Sequence, residues 1–188
     1  MSEGDAGRSL VLCVGNDLVA DDAAGCHVYE RLQDSVLPPG TRVELLGLGG
    51  LSVLDHLDGE ENLVLVDAVS LGAPVGTVHV LAWDDLPCVY ATPVSLHGIG
   101  LREAIEVGKR LTPEAMPHRV LLVGIEGRCF DLVGRPPTPE VAAAIGPAAD
   151  EVIRCLRQLN GGDIPGARTS RPQAEQRTPS TGKAQGAP

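Results

Sequence analysis

The chain has 188 residues, of which 43% are hydrophobic and only 2% aromatic, and its formal net charge is −10 at pH 7. This length and apolar content are typical of one globular domain whose core is built mainly from aliphatic side chains. So acidic a chain lacks the excess of lysine and arginine that supplies most of the affinity for nucleic acid, and we expect no nucleic-acid partner.

Apolar runs rich in β-forming residues predict five strands, at residues 9–14, 42–48, 62–69, 76–83 and 118–126. Helical spacing of apolar residues predicts helices at residues 22–33, 49–57, 96–111 and from Pro139 to about Leu159, the last one capped by Thr138 and bent near Pro147. From residue 161 onward the sequence is rich in Gly, Pro, Ser and Gln and has almost no apolar residues. We therefore predict a folded domain of residues 1–160 and a disordered tail of residues 161–188.

No stretch approaches the ~20 continuous apolar residues of a membrane-spanning helix, so we expect no membrane association. Residues 1–10 contain acidic residues and lack the basic region and apolar core of a secretory signal, which favours a cytoplasmic location. The five cysteines are odd in number and form no CxxC pair. We predict neither a disulfide nor a metal site from them.

The alternation of strands and helices indicates an α/β fold. The first, third and fifth strands are apolar almost throughout, which is typical of strands buried on both faces of a mostly parallel sheet with helices on both sides. The linker between the third and fourth strands is too short to hold a crossover helix. The fourth strand is therefore predicted to be an antiparallel edge strand.

Polar side chains lie near the ends of three strands, at the edge where open α/β sheets bind ligands. Asp21 and Asp22 follow the first strand, Asp67 ends the apolar run of the third, and His97 opens the helix after the fourth. A carboxylate that ends an apolar run is costly to desolvate unless something compensates its charge. One imidazole and two carboxylates form a nitrogen and oxygen site suited to a divalent first-row metal.

Each of these residues also has a purely structural interpretation. Asp21 or Asp22 could cap the first helix, and we assign that role to Asp21; two adjacent acids repel each other, so capping alone does not explain the pair. Asp67 could hydrogen-bond a local turn, and His97 could bond the backbone of the first helical turn. His79 alternates with the apolar residues of the fourth strand and is expected to face solvent.

In their order and spacing these segments resemble the hydrogenase maturation proteases, which process the large subunit of nickel-iron hydrogenases. The resemblance covers residues 9–159 and is carried by VLCVGNDLVADDAAG, LVLVDAV and SLHGIGLREAI. It implies a three-layer α/β/α sandwich around a five-stranded, mostly parallel sheet. It also implies that Asp22, Asp67 and His97 contact the metal and carry out catalysis.

The resemblance implies a single cut that releases a short C-terminal peptide from a nickel-loaded large-subunit precursor. Nickel would be presented by that precursor and not held tightly by the resting enzyme. Either the ion or one of the aspartates, Asp22 or Asp67, would activate the attacking water. The precursor is the expected partner, and the enzyme is expected to be a monomer.

One position departs from the family pattern. Gly47 stands where these proteases commonly have the aspartate of an Asp-Gly-Gly-Thr-like loop, although the loop keeps its glycines, Gly47, Gly49 and Gly50. This departure leaves open a module that binds nickel or the precursor without cutting it. Another alternative is a different peptidase or amidohydrolase of similar topology with a resident metal.

Overall fold

The computed structural model describes residues 7–47, 50–85 and 98–161, with 98–100 described as backbone only. The strands are β1 (Ser9–Val14), β2 (Thr41–Leu46), β3 (Asn62–Val69), β4 (Val78–Ala82) and β5 (Arg119–Glu126). The α-helices are α1 (Ala24–Gln33), α2 (Gly98–Leu111) and α3 (Pro139–Asn160). Short 3-10 helices lie at Ala20–Ala23, Leu51–His56, Trp83–Asp85 and Pro113–Ala115.

The five strands form one sheet in the order β2-β1-β3-β5-β4. The pairs β1–β2, β1–β3 and β3–β5 are parallel, whereas β4 is antiparallel to β5 at the sheet edge. This topology confirms the predicted α/β fold, including the antiparallel edge strand. The carboxyl ends of β1, β3 and β5 therefore meet at one edge, which we call the carboxyl edge.

Helices cover both faces of the sheet and give three layers. On one face α1 and α3 pack over alternate residues of β1, β3 and β5 through Ala24, Val28, Leu32, Val141, Val152 and Leu156. On the other face α2 and the 3-10 helix Leu51–His56 pack over the remaining strand residues through Leu101, Ala104, Ile105 and Val53. The near-continuous burial of β1 and β3 follows from this double covering.

The helices differ from the predicted ones mainly at their boundaries. The predicted helix at 22–33 begins with the 3-10 helix Ala20–Ala23 and becomes α-helical only at Ala24, and the predicted helix at 49–57 is the 3-10 helix Leu51–His56. α3 runs without a break through Pro147, because this residue is exposed and the carbonyl group freed by its missing N–H can reach water. In the described parts of the chain, no helix combines the length and the apolarity that a bilayer span requires.

The start of α1 lies in direct backbone contact with the end of β1. An ideal Cβ at Gly25 would lie 1.9 Å from the Val14 carbonyl oxygen, and one at Gly15 would lie 2.5 Å from the Asp22 carbonyl oxygen. Only glycine permits these approaches without a backbone shift. The two glycines therefore set the position of the 3-10 helix Ala20–Ala23 above the carboxyl end of β1.

We expect Gly25→Ala to lower the free energy of unfolding by about 2 to 3 kcal/mol, since the new methyl group would overlap the Val14 carbonyl. Gly146→Ala in α3 is the matched control, because no atom of the described residues lies within 4 Å of its ideal Cβ. That control should raise stability by about 0.5 to 1 kcal/mol through helix propensity. Denaturant unfolding of both variants checks the contrast, and equal effects would contradict the packing described for Gly25.

Candidate functional site

Asp67 lies near the carboxyl end of the central strand β3 and pairs with Gly124 of β5. Its neighbours on the same side of the strand, Leu65 and Val69, belong to the core beneath α2, so the alternation of the strand places the Asp67 side chain on the face that α2 covers. Asp67 is only 1% exposed. The Asp67 carboxylate is therefore held within the protein near the end of a strand.

Asp22 reaches the same edge from the 3-10 helix Ala20–Ala23. The Asn16 N–H donates to the Asp22 carbonyl oxygen at 3.1 Å, which folds this helix back over the end of β1. The 3-10 helix contacts β3, the strand that follows β1 in the sheet. Asp22 is 4% exposed. The sheet order thus places Asp22 and Asp67 at the carboxyl ends of neighbouring strands.

His97, the third predicted site residue, lies outside the described residues. The next residue, Gly98, is the first residue of α2. α2 packs through Leu101 and Ile105 on the face of the sheet to which Asp67 belongs. Within the described ranges no group of three His, Cys, Asp or Glu side chains could hold a metal ion. The position of His97 relative to Asp22 and Asp67 therefore stays a prediction.

The prediction that Asp21 caps the first helix is wrong. Neither the 3-10 helix Ala20–Ala23 nor α1 has a side-chain capping hydrogen bond. The Asp21 carboxylate is fully buried and accepts main-chain N–H groups from Arg128 and Cys129 at 2.9 Å and from Thr138 at 2.7 Å. Asp21 therefore joins the turn after β1 to the loop after β5 and to the N-terminus of α3. Thr138 occupies the predicted N-cap position but makes no side-chain capping bond of its own.

The Asp21 carboxylate should stabilise the fold in a pH-dependent way. Burial raises its pKa, but the hydrogen bonds from Arg128, Thr138 and Cys129 lower the pKa more, and it lies below the ordinary value of 3.8. Because the folded-state pKa is lower than the unfolded one, this stabilisation is complete above about pH 4 and is lost as the pH falls through the folded pKa.

We expect Asp21→Ala to lower the free energy of unfolding by about 2 to 3 kcal/mol at neutral pH, because three main-chain donors lose their acceptor. Urea unfolding from neutral pH to below about pH 4 measures the effect. The difference in the free energy of unfolding between the wild type and this variant should shrink only at the acidic end of the pH range. A difference that stays constant over the whole pH range would contradict the lowered pKa of Asp21.

Glu126 is a strand-end acid that the sequence analysis missed. It is 2% exposed, and its Oε1 accepts the main-chain N–H groups of Leu71, Gly72 and Ala73 at 2.8, 2.8 and 3.2 Å. His79, expected to face solvent, instead lies with Nε2 at 3.0 Å from the other carboxylate oxygen of Glu126. Glu126 thus holds the turn after β3 and the start of β4. The only signal in the sequence was an acid that ends an apolar run, as Asp67 does.

The buried thiols near this edge are not suited to act as nucleophiles. The Sγ atom of Cys26 lies 3.4 Å from the ideal Cβ position of Gly15, beside the turn that carries Asp22. Burial, followed by the negative charges of Asp17 and Asp22, raises the pKa of Cys26 to about 11. Burial likewise raises the pKa of Cys13. Such raised pKa values keep both thiols protonated at neutral pH, and a protonated thiol is a poor nucleophile.

Comparison with known proteins matches most of the chain to members of one protein family. The model of a family described as hydrogenase maturation protease matches residues 26–155, which include Asp67 and His97. The chain is 32% identical over 163 residues to the hydrogenase 2 maturation protease of Escherichia coli (strain K12), covering 84% of this chain and 96% of the relative. It is 34% identical over 152 residues to the hydrogenase expression/formation protein HupD of Rhodobacter capsulatus, covering 80% and 71%.

Solved structures of similar proteins share the fold. The hydrogenase maturating endopeptidase HybD from E. coli superposes with a TM-score of 0.71 at 29% identity, covering 81% of this chain and 93% of that chain. The NiFe hydrogenase maturation protease HybD from Thermococcus kodakarensis gives a TM-score of 0.67 at 25% identity, covering 78% and 97%. In both comparisons nearly the whole of the solved chain is matched.

Proposed function

The chain belongs to the hydrogenase maturation protease family, and we propose that it removes a C-terminal peptide from the nickel-loaded large-subunit precursor of a nickel-iron hydrogenase. One observation carries the proposal: two buried aspartates, Asp22 and Asp67, lie at the carboxyl ends of neighbouring strands in a chain of this family. Buried carboxylates in proteins are stabilised by pairing or by metal coordination. Carboxylates of this kind are also ligands that a nickel ion carried by the substrate can bind.

In this proposal Asp22, Asp67 and His97 bind the nickel of the precursor by ligand exchange. Carboxylate oxygens and an imidazole nitrogen are suitable ligands for divalent nickel. Two features support a place for His97 in the set: it directly precedes α2, and α2 covers the face of the sheet to which Asp67 belongs. Cleavage then depends on prior metal loading, because an empty precursor offers nothing for these side chains to bind.

The same three residues would place the scissile peptide bond for attack by water. Substrate nickel can polarise the scissile carbonyl group or lower the pKa of a bound water. Asp22 or Asp67 can alternatively take the proton of the attacking water as a general base. The protease is of the metal-dependent type if substrate nickel activates the attacking water, and of the aspartic type if an aspartate does so without the metal.

The decisive experiment incubates the purified protein with the nickel-loaded precursor and, separately, with the metal-free precursor. Mass spectrometry should show loss of the C-terminal peptide only from the nickel-loaded form. Cleavage of both forms at the same rate would contradict the role of substrate nickel. Metal analysis of the purified protein is the second measurement, and stoichiometric, tightly bound zinc would instead support a peptidase with a resident metal.

We expect His97→Ala to lower precursor processing by about 10²- to 10⁴-fold through loss of a ligand and proton-transfer group. Its thermal unfolding should stay close to that of the wild type, since we place the site on the rim of the sheet. His118→Ala is the matched control, because His118 is exposed and precedes β5 at the opposite edge. Undiminished cleavage by His97→Ala would remove this residue from the mechanism.

A second candidate function is a module that binds nickel or the precursor without cutting it, and the glycine at position 47 favours it. Among the residues that the structure describes, none has an atom within 4 Å of an ideal Cβ at Gly47, so these residues leave room for an aspartate there. Gly49 of the same loop lies outside the described residues. Binding of the precursor without truncation would support this module, and cleavage gained by Gly47→Asp would then identify the missing acid as the cause.

We further propose that residues 1–160 form the working unit and that it acts as a cytoplasmic monomer without nucleic acid. The net charge of −10 supports the absence of nucleic acid. The end of this unit is anchored, because the buried Leu159 packs in the core and the Ser9 hydroxyl donates to the Asn160 side-chain oxygen at 3.4 Å.

Deletion of residues 161–188 should therefore leave both the unfolding temperature and precursor cleavage unchanged. Calorimetry and the same mass-spectrometric assay measure these two properties on the truncated protein and the full chain side by side. Loss of either property would show that the C-terminal segment contributes to the working protein.

A further inference from the structure

Beside Asp22, two loops at the carboxyl edge join into a short two-stranded bridge. Val19, after β1, pairs antiparallel with Val133, after β5. The Ala20 N–H donates to the Leu132 carbonyl at 3.1 Å, and the Gly134 N–H donates to the Leu18 carbonyl at 2.7 Å. We call the four large aliphatic residues of this pair the apolar bridge: Leu18, Val19, Leu132 and Val133.

The apolar bridge exposes much of its hydrophobic surface. Leu18 is 62% exposed, Leu132 is 47% exposed and Val133 is 72% exposed. Because side chains alternate along a strand, Leu18 and Leu132 lie on one side of the bridge and Val133 lies on the other. Adjacent exposed aliphatic residues at a functional edge indicate an interaction surface, whereas single ones do not.

One strand edge of the apolar bridge is open. The hydrogen bonds of the bridge use Leu132 and Gly134, so the N–H and C=O groups of Val133 point away from Val19. In the part of the chain that the structure describes, no hydrogen bond reaches either of these two groups. An open edge of this kind can accept an extended peptide as an added strand. The geometry therefore favours an extended polypeptide as the occupant.

The apolar bridge is held firmly next to the predicted catalytic residues. The Asp21 N–H donates to the Cys129 carbonyl at 3.0 Å, and the Asp21 carboxylate accepts N–H groups from the same loop. Asp22 follows directly in sequence. The apolar bridge therefore lies within a few residues of Asp22 along the chain, with Val19 three residues before it.

We propose that the apolar bridge docks an extended, apolar segment of the precursor polypeptide, near the bond that is cut, as a third strand along Val133. This inference rests on the proposed function, because it assigns the substrate-binding surface of that site. Exposed charged residues of both signs flank the bridge in sequence: Asp17 and Asp131 are acidic, and Arg135 is basic. Apolar contact and main-chain hydrogen bonds therefore provide the affinity, which should depend little on salt.

The test compares Leu18→Ser/Val133→Ser with the control Val36→Ser/Leu111→Ser in cleavage of the nickel-loaded precursor. Val36, which follows α1, is 88% exposed, and Leu111, which ends α2, is 73% exposed. Both helices lead back to the opposite edge of the sheet. We expect the bridge variant to raise KM about tenfold at low and at high salt, with kcat changed less than about twofold. The control should match the wild type.

Val133→Pro separates the added strand from simple apolar contact, because it removes the N–H group but keeps an apolar side chain. It should raise KM as well, and an unchanged KM would overturn the added strand. Thermal unfolding of every variant checks that the fold is intact.

If the wild type cuts the precursor and the bridge variant has an unchanged KM, the docking surface is wrong and the proposed function stands. If the wild type does not cut, the proposed function fails. The Kd of the nickel-loaded precursor for the same variants then decides the docking surface separately, and equal Kd values would overturn it.

Discussion

A single buried carboxylate, that of Asp21, holds together three chain segments at the carboxyl edge of this protein. It accepts main-chain N–H groups of Arg128, Cys129 and Thr138, which belong to the loop after β5 and the start of α3. The main-chain hydrogen bonds of the apolar bridge and the close packing at Gly15 and Gly25 also attach the turn after β1 to its surroundings. The position of Asp22, one residue further, depends on the same anchor.

The two adjacent acids have separate roles because of the geometry of the 3-10 helix Ala20–Ala23. With three residues per turn, neighbouring side chains point in directions about 120° apart. Asp21 can therefore turn towards the loop after β5 while Asp22 lies over the end of β1 beside β3. Two consecutive carboxylates are tolerated because Asp21 is bound to three main-chain donors. The fold thus uses Asp21 for structure, whereas Asp22 is one of the acids that we propose for catalysis.

The same anchor relates the predicted catalytic residues to the surface that we assign to the substrate. The loop after β5 supplies the main-chain groups that bind Asp21 and also the strand of the apolar bridge that contains Val133. Glu126, at the end of β5, fixes the turn after β3 in a similar way and restrains the segment that follows Asp67. Two buried carboxylates, those of Asp21 and Glu126, therefore organise the loops around this edge.

The sequence by itself determined the elements of the fold and the location of Asp22 and Asp67 at strand ends, because burial on both faces of a parallel sheet leaves a continuous apolar run with a visible end. It also carried the family resemblance, which the comparisons confirm. Only the tertiary structure decided the partners of Asp21, which lie 107 to 117 residues away, the pairing of His79 with Glu126, and the bridge between Val19 and Val133. The periodicity of apolar residues in the sequence indicates which residues are buried. A hydrogen bond between distant segments depends instead on which strand ends lie next to each other in the sheet. That strand order is a property of the packed chain.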